Sequence, residues 1–294
     1  MLHRKLSSLS LKLALAAFAL PLLAATAPLA HAQDEVVKSG GGKPSKEAPP
    51  FDPTKAVDAG IGMPTPYDKF LALDLTIKGK VNWKSYFSNT AVDVPVDEIN
   101  DKQVRLPLLL GVRISDGVMA IKARDAELLN KCASEIEAAA KKLGTPDSDL
   151  ARAKAVRASA NAGEWLKVFL ELGFLQQDIL KTLEKEENKA QGTLVTIGGW
   201  LQGARYVSIV VQDNYTPASS NILREPLLVK ALIEKLDKLP DPAKGSPTVG
   251  KAKAALTEIY DIVNIKLDGS IPQEKGKRLE TLATETVGSA MKEK

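Results

Sequence analysis

The sequence predicts an all-α fold, a multi-helix bundle of roughly eight helices built from helical hairpins. Three observations carry that expectation. From Tyr67 onward, apolar residues recur at helical spacing in nearly every segment. Turn signals such as Gly144-Thr145-Pro146, Asn161-Ala162-Gly163, Pro240-Asp241-Pro242 and Gly269 with Pro272 divide those segments at short intervals. The Val/Ile/Thr clusters at 193–197 and 207–211 are the main strand-like signal, and Gly198, Gly199 and Gly203 interrupt them with no hairpin pattern following.

Residues 1–32 read as a secretory signal peptide. Arg4, Lys5 and Lys12 form a positive start, Leu13 to Leu23 is apolar except for Pro21, and Ala30-His31-Ala32 matches the small-x-small cleavage pattern. The expected mature chain begins at Gln33 and is periplasmic or secreted. No cysteine stands near the cut to carry a lipid. The apolar run is shorter than the ~20 residues that span a bilayer, so no transmembrane segment is expected in the mature protein.

Residues 33–66 read as a flexible linker, because eleven of the 34 are Gly or Pro and few large apolar side chains accompany them. A partner-binding peptide is the alternative there. Gly42-Lys43 is not a phosphate loop: Pro44 stands where Ser or Thr is needed.

Residues 67–294 form the expected single α-helical domain. Its elements are a short amphipathic segment at 67–77, then 82–89 as a short helix or docking loop carrying Trp83, Tyr86 and Phe87. A helix at 101–124 tolerates Pro107 in its first turn. Asp125 to Leu143 stops at Gly144, a residue suited to the C-terminal turn, and Asp147 caps a helix running through Ala160. The segment from Glu164 to about Asn188 keeps Leu166, Phe169, Leu170, Phe174, Leu175, Ile179, Leu180 and Leu183 in helical period. Further helices are expected at 193–212, 220–239, 248–266 and 273–292. Gly111, Ile121 and Asp125 align with Gly199, Ile209 and Asp213 at an offset of 88, a weak sign of internal duplication into two similar hairpins.

The formal charge of +4 suggests a polyanionic partner, but three of the 40 basic residues and no acid lie in the signal peptide. The mature balance is 37 basic to 36 acidic, and Lys-rich 273–278 is offset by Glu274 and Glu280, so no nucleic-acid partner is expected. Both histidines, His3 and His31, are removed with the same segment. That excludes Ser-His-Asp and Cys-His catalysis and His-bearing metal sites; no cofactor and no metal are expected. Cys132 is the only cysteine, on an apolar helical face with Leu128, Ile136 and Leu143, and reads as a buried small hydrophobe. Trp165 and Trp200 read as core or interface anchors and Trp83 as a surface residue. Ser289 and Lys292 have S-x-x-K spacing without its companion motifs, and Glu184–Glu187 reads as a solvated helix end.

The candidate site lies where Leu108–Met119 and Leu194–Val211, apolar nearly all round, carry a few polar residues. Arg113 and Asp116 share one helix face, as do Gln202 and Arg205. If the faces meet, the four form either an internal ion-pair network or two guanidinium groups presented to an anionic ligand. The glycines of these segments admit the same pair of explanations, close helix packing or room for a ligand beside the backbone. The leading functional expectation is an exported, non-catalytic helical module that binds an unknown protein partner. The alternatives are a periplasmic carrier of a small anionic ligand in an Arg-lined pocket, and a carboxylate-only hydrolase using Asp116 and Asp213.

Overall fold

The two segments that are apolar nearly all round become the two central helices, and amphipathic ones wrap them. The computed structural model describes residues 66–77, 81–90, 96–183 and 189–292. Residues 1–65, read above as a signal peptide and linker, and the Glu184–Glu187 run lie outside the described residues. In order, the helices are α1 (Tyr67–Thr76), α2 (Trp83–Thr90), α3 (Arg105–Ala123), α4 (Ala126–Lys142), α5 (Asp147–Leu150), α6 (Arg152–Asn161), α7 (Trp165–Leu183), α8 (Lys189–Asp213), α9 (Pro217–Ser220), α10 (Pro226–Asp237), α11 (Pro247–Val263) and α12 (Gln273–Lys292). Short 3-10 turns at Val96–Glu98 and Asn221–Leu223 complete the list. Among the described residues there is no strand, and the fold is an all-α multi-helix bundle.

Among the described residues ten helices of eight residues or more form, against roughly eight expected. The segment at 82–89 is a helix, not a loop. The helix expected from Asp147 through Ala160 divides at Ala151 into α5 and α6. The one expected at 220–239 begins only at Pro226, because proline drives the preceding Glu225 out of the helical region and itself suits the first helical position.

Three joints use the same backbone device, a 6→1 hydrogen bond closing over a left-handed residue. Thr145 N–H donates to Ala140 O across Gly144 (φ +91°), and Glu164 N–H to Ser159 O near Gly163 (φ +72°). Between α3 and α4 the left-handed residue is Arg124 (φ 52°), and Asp125 N–H reaches Ala120 O. Asp125 then caps α4 by accepting from Leu128 N–H.

Helices α3 and α8 run in the same direction at the centre. Near their starts Gln191 Nε2 donates to Lys102 O, and further along Tyr206 OH reaches Asp116. At their crossing the backbones touch. A Cβ on Gly111 would stand 1.9 Å from Val195 O, and one on Gly198 2.1 Å from Leu108 O. Close helix packing therefore accounts for both glycines. Gly111 and Gly199, aligned at the 88-residue offset, do meet here, the added Cβ of the first lying 2.6 Å from the amide nitrogen of the second. The two segments are not equivalent hairpins, however: α3 packs on its successor α4, whereas α8 packs on α12 from the end of the sequence. Helix α8 is long and apolar enough to cross a membrane by length and composition alone, and most of it is buried within the protein.

Trp83 corrects another expectation. It is 7% exposed, tilted against Phe70 at 5.0 Å, with its Nε1–H donating to Asp74 Oδ1 at 3.0 Å. A local polar partner lets the indole be buried on a short exposed helix. Cys132 is free and buried.

Candidate functional site

Asp116 is the hub of the central polar cluster. It has no solvent exposure, and no apolar environment would hold a carboxylate there without donors. Arg113, one turn earlier on α3, meets Oδ2 at 2.8 Å. From α8, Gln202 Nε2 and Tyr206 OH, one helical turn apart, both donate to Oδ1 at 2.7 Å. Arg113 also contacts Glu135 of α4 through Nε at 2.6 Å, so one guanidinium stands between two carboxylates on two helices. Burial alone disfavours the charged guanidinium; Asp116 and Glu135 outweigh it and hold Arg113 firmly protonated. Burial, reinforced by the Asp116 charge and hydrogen bond, pushes the Tyr206 phenol well above its ordinary range, so it stays a donor. The Cys132 thiol is raised well above its usual value by burial first and by Asp116 second. Such a thiol is not a nucleophile. Ser115 OH completes the seam by donating to Gly199 O at 2.6 Å.

Three of the four residues expected at this site thus come together: Arg113, Asp116 and Gln202. Arg205 does not join them. Its Nη1 donates to the carbonyl of Thr90, the last residue of α2, at 2.8 Å. Positions 202 and 206 are four apart and face α3 together, while 205 turns toward α2. Sequence reasoning missed Tyr206 and Glu135. The first had a usable signal, the i, i+4 spacing from Gln202; the second depends on where α4 packs, which no local spacing encodes.

Asp213, the other acid considered for hydrolysis, is the last residue of α8, seven positions past Tyr206 and therefore about 10 Å further along the axis. It neighbours the Tyr86 phenol, whose ionisation is raised by burial and then by the Asp213 carboxylate, and which accepts from Asn214 Nδ2 at 3.4 Å. Ser289 donates to Thr286 O within α12. Among the described residues no group of three or more His, Cys, Asp or Glu is placed to hold a metal.

A second feature lies on the outside. Helix α7 buries Val168, Leu172, Leu175 and Ile179, one stripe of its surface. A second apolar stripe, Leu166, Leu170 and Phe174, is 52%, 43% and 45% exposed. Beside it a cleft of about 180 Å³ opens between α7 and Val118 of α3, walled by Phe169, Leu172, Gly173 and Gln176. A Cβ on Gly173 would have no neighbour within 4 Å. Helix α1 borders the same face: Tyr67 stacks on Phe169 with ring centroids 4.2 Å apart, and Asp74 pairs with Lys122, one turn beyond Val118. Leu71 and Leu75 of α1 are 42% and 90% exposed.

Comparison with protein-family models, with curated proteins and with solved structures finds no match to this chain.

Proposed function

We propose that the chain is an exported, non-catalytic helical interaction module, and that its working surface is the exposed apolar face of α7. The observation that carries this reading is the stripe Leu166, Leu170 and Phe174 beside an open apolar cleft. A helix in a soluble bundle ordinarily needs one apolar stripe, and α7 has two. Exposed apolar residues grouped on one face mark contact sites far better than scattered ones do. Export is supported by the charge, apolar run and cleavage pattern of residues 1–32.

The central cluster is assigned a framework role. Arg113, Asp116 and Gln202 Nε2 pair with one another and with Tyr206 and Glu135, while Gln202 Oε1 is buried without a hydrogen-bond partner among the described residues; the arrangement is suited to fixing how α3, α4 and α8 meet. No observation favours a small-anion carrier or a carboxylate hydrolase over this.

The test is site-specific photocrosslinking in the native cell. A benzophenone side chain replaces Phe174, and in a control it replaces exposed Lys244. A discrete adduct is expected from position 174 only, and Leu166→Asp with Leu170→Asp is expected to abolish it. Equal labelling from both positions, or none from 174, overturns the assignment.

A further inference from the structure

We infer that the occupant of the α7 face is a second copy of this chain, forming an antiparallel α7–α7 pair about a twofold axis. The inference rests on the reading of that face as the working surface and names its partner. Its basis is that the face carries both halves of a fit. Leu170 is a protruding apolar side chain, and Gly173, three residues later, is a gap with open space above it. Residues three apart lie on the same side of a helix. Setting two copies antiparallel with Leu170 over Gly173 of the other copy places, by symmetry, the second Leu170 over the first Gly173. The same register sets Leu166 over Gln177, the exposed residue at the far edge of the cleft. Both layers repeat on either side of the axis, so an isologous interface follows from one helix.

The charges agree with that register. Lys167 lies at one end of the stripe and Asp178 at the other, on the same flank; their side chains are 59% and 37% exposed. In an antiparallel pair, like flanks face each other, so Lys167 meets Asp178 of the other copy at both ends. A parallel pair would instead bring unlike flanks together and leave Lys167 and Asp178 of each copy without that partner. Arg152, already on Asp178 at 2.7 Å and over the Phe174 ring at 5.0 Å, holds that edge of the face in place. Three half-exposed apolar side chains and a cleft bury less than a standard interface of about 1,600 Å² total. The pair is accordingly weak, with a dissociation constant in the range of roughly 10 to 100 µM, well short of nanomolar binding.

Sedimentation velocity on the full chain from about 5 to about 500 µM brackets that constant. Wild type is expected to shift from monomer to dimer. Gly173→Leu fills the gap with a good helix former and is expected to weaken association at least tenfold with the fold intact by circular dichroism. Leu170→Glu is expected to do the same. Lys167→Asp should weaken it less, and Lys167→Asp with Asp178→Lys should restore it. Mixing the Leu170→Cys and Gly173→Cys chains under mild oxidation should give the mixed disulfide dimer in excess of both like pairs. A chain that stays monomeric at about 500 µM, or a dimer untouched by Gly173→Leu, overturns the inference. If the chain is monomeric but the photoadduct at position 174 contains another protein, the second-copy assignment falls while the interaction face stands. If the adduct is missing as well, both fall.

Discussion

Replacing Asp116 separates a framework from a ligand site. Asp116→Ala deletes the acceptor for Gln202 Nε2 and Tyr206 OH, both fully buried or nearly so, and one of the two carboxylates beside Arg113. Each orphaned buried donor costs about 1–3 kcal/mol, and removing one partner of a buried ion pair costs about 3–5 kcal/mol. These penalties overlap, and Glu135 still accompanies Arg113, so the net expectation is about 4 kcal/mol. For a domain of this size each kcal/mol moves the melting point by about 2–4 °C, so thermal unfolding followed at 222 nm should fall by about 10 °C. Asp116→Asn keeps one acceptor oxygen and should lose roughly half as much. A double-mutant cycle with Tyr206→Phe should return a coupling of at least ~1 kcal/mol, since the two share a hydrogen bond. A melting point within about 2 °C of wild type for Asp116→Ala, together with lost binding of a partner or ligand, would refute the framework role.

Two glycine substitutions should move stability in opposite directions. Gly198→Ala forces a methyl onto Leu108 O and should cost more than ~2 kcal/mol, whereas Gly173→Ala meets no neighbour and should gain about 0.5–1 kcal/mol, both by urea unfolding at low protein concentration. Cys132 should react with a disulfide reagent at pH 8 at least ~100-fold more slowly than in the unfolded chain, and the rate should climb with urea as the core opens. Burial raises the Asp125 carboxyl, but Lys84 and the Leu128 N–H more than offset this, so its ionisation sits below the usual range. A depressed carboxyl stabilises the fold above its unfolded value of about 3.9 and loses that contribution as pH falls through the lower folded value. Asp125→Ala should therefore cost about 1 kcal/mol at pH 7, with the deficit closing in acid below about pH 4, as measured by urea midpoints across pH.

Helical period, Gly144 and Gly163 were legible because each is a local signal, a spacing or a glycine at a turn. The 3-spaced pair Arg113 and Asp116 was legible on the same grounds. The cap expected at Asp147 does not form: Pro146 stands at that position, with Asp147 already helical. Arg205 was misplaced because two residues, 205 and 206, stand on adjacent flanks of α8 after Gln202, and only the position of α2 decides which one turns to Asp116. Glu135 could not be read at all, since its relation to Arg113 is made by the packing of α4 on α3. Arg124 shows the limit from the other side. Its left-handed backbone costs about 1 kcal/mol, and a sequence without glycine there gives no sign that the turn is imposed by the helices on either side.

Glycine makes the argument for α7 sharper than its exposed leucines do alone. A glycine within a helix costs about 1 kcal/mol relative to alanine, so each one in a helix asks what it makes room for. At Gly111 and Gly198 the protein itself answers: backbone carbonyls of the facing helix occupy the space a methyl would need. At Gly117 the answer is the Leu172 side chain, 3.2 Å from the added Cβ. At Gly173, as at Gly250 and Gly288, the space is open; what sets Gly173 apart is that it lines an apolar cleft whose floor is Val118 of a central helix. The apolar set of α7 is wider than one buried stripe requires, and its surplus members Leu166, Leu170 and Phe174 surround the one glycine of that helix. A gap and the side chains that could fill it, repeated on the same surface, are what self-association needs. A helix selected only to cover its own core would have been stabler with alanine at 173 and polar residues at 166, 170 and 174.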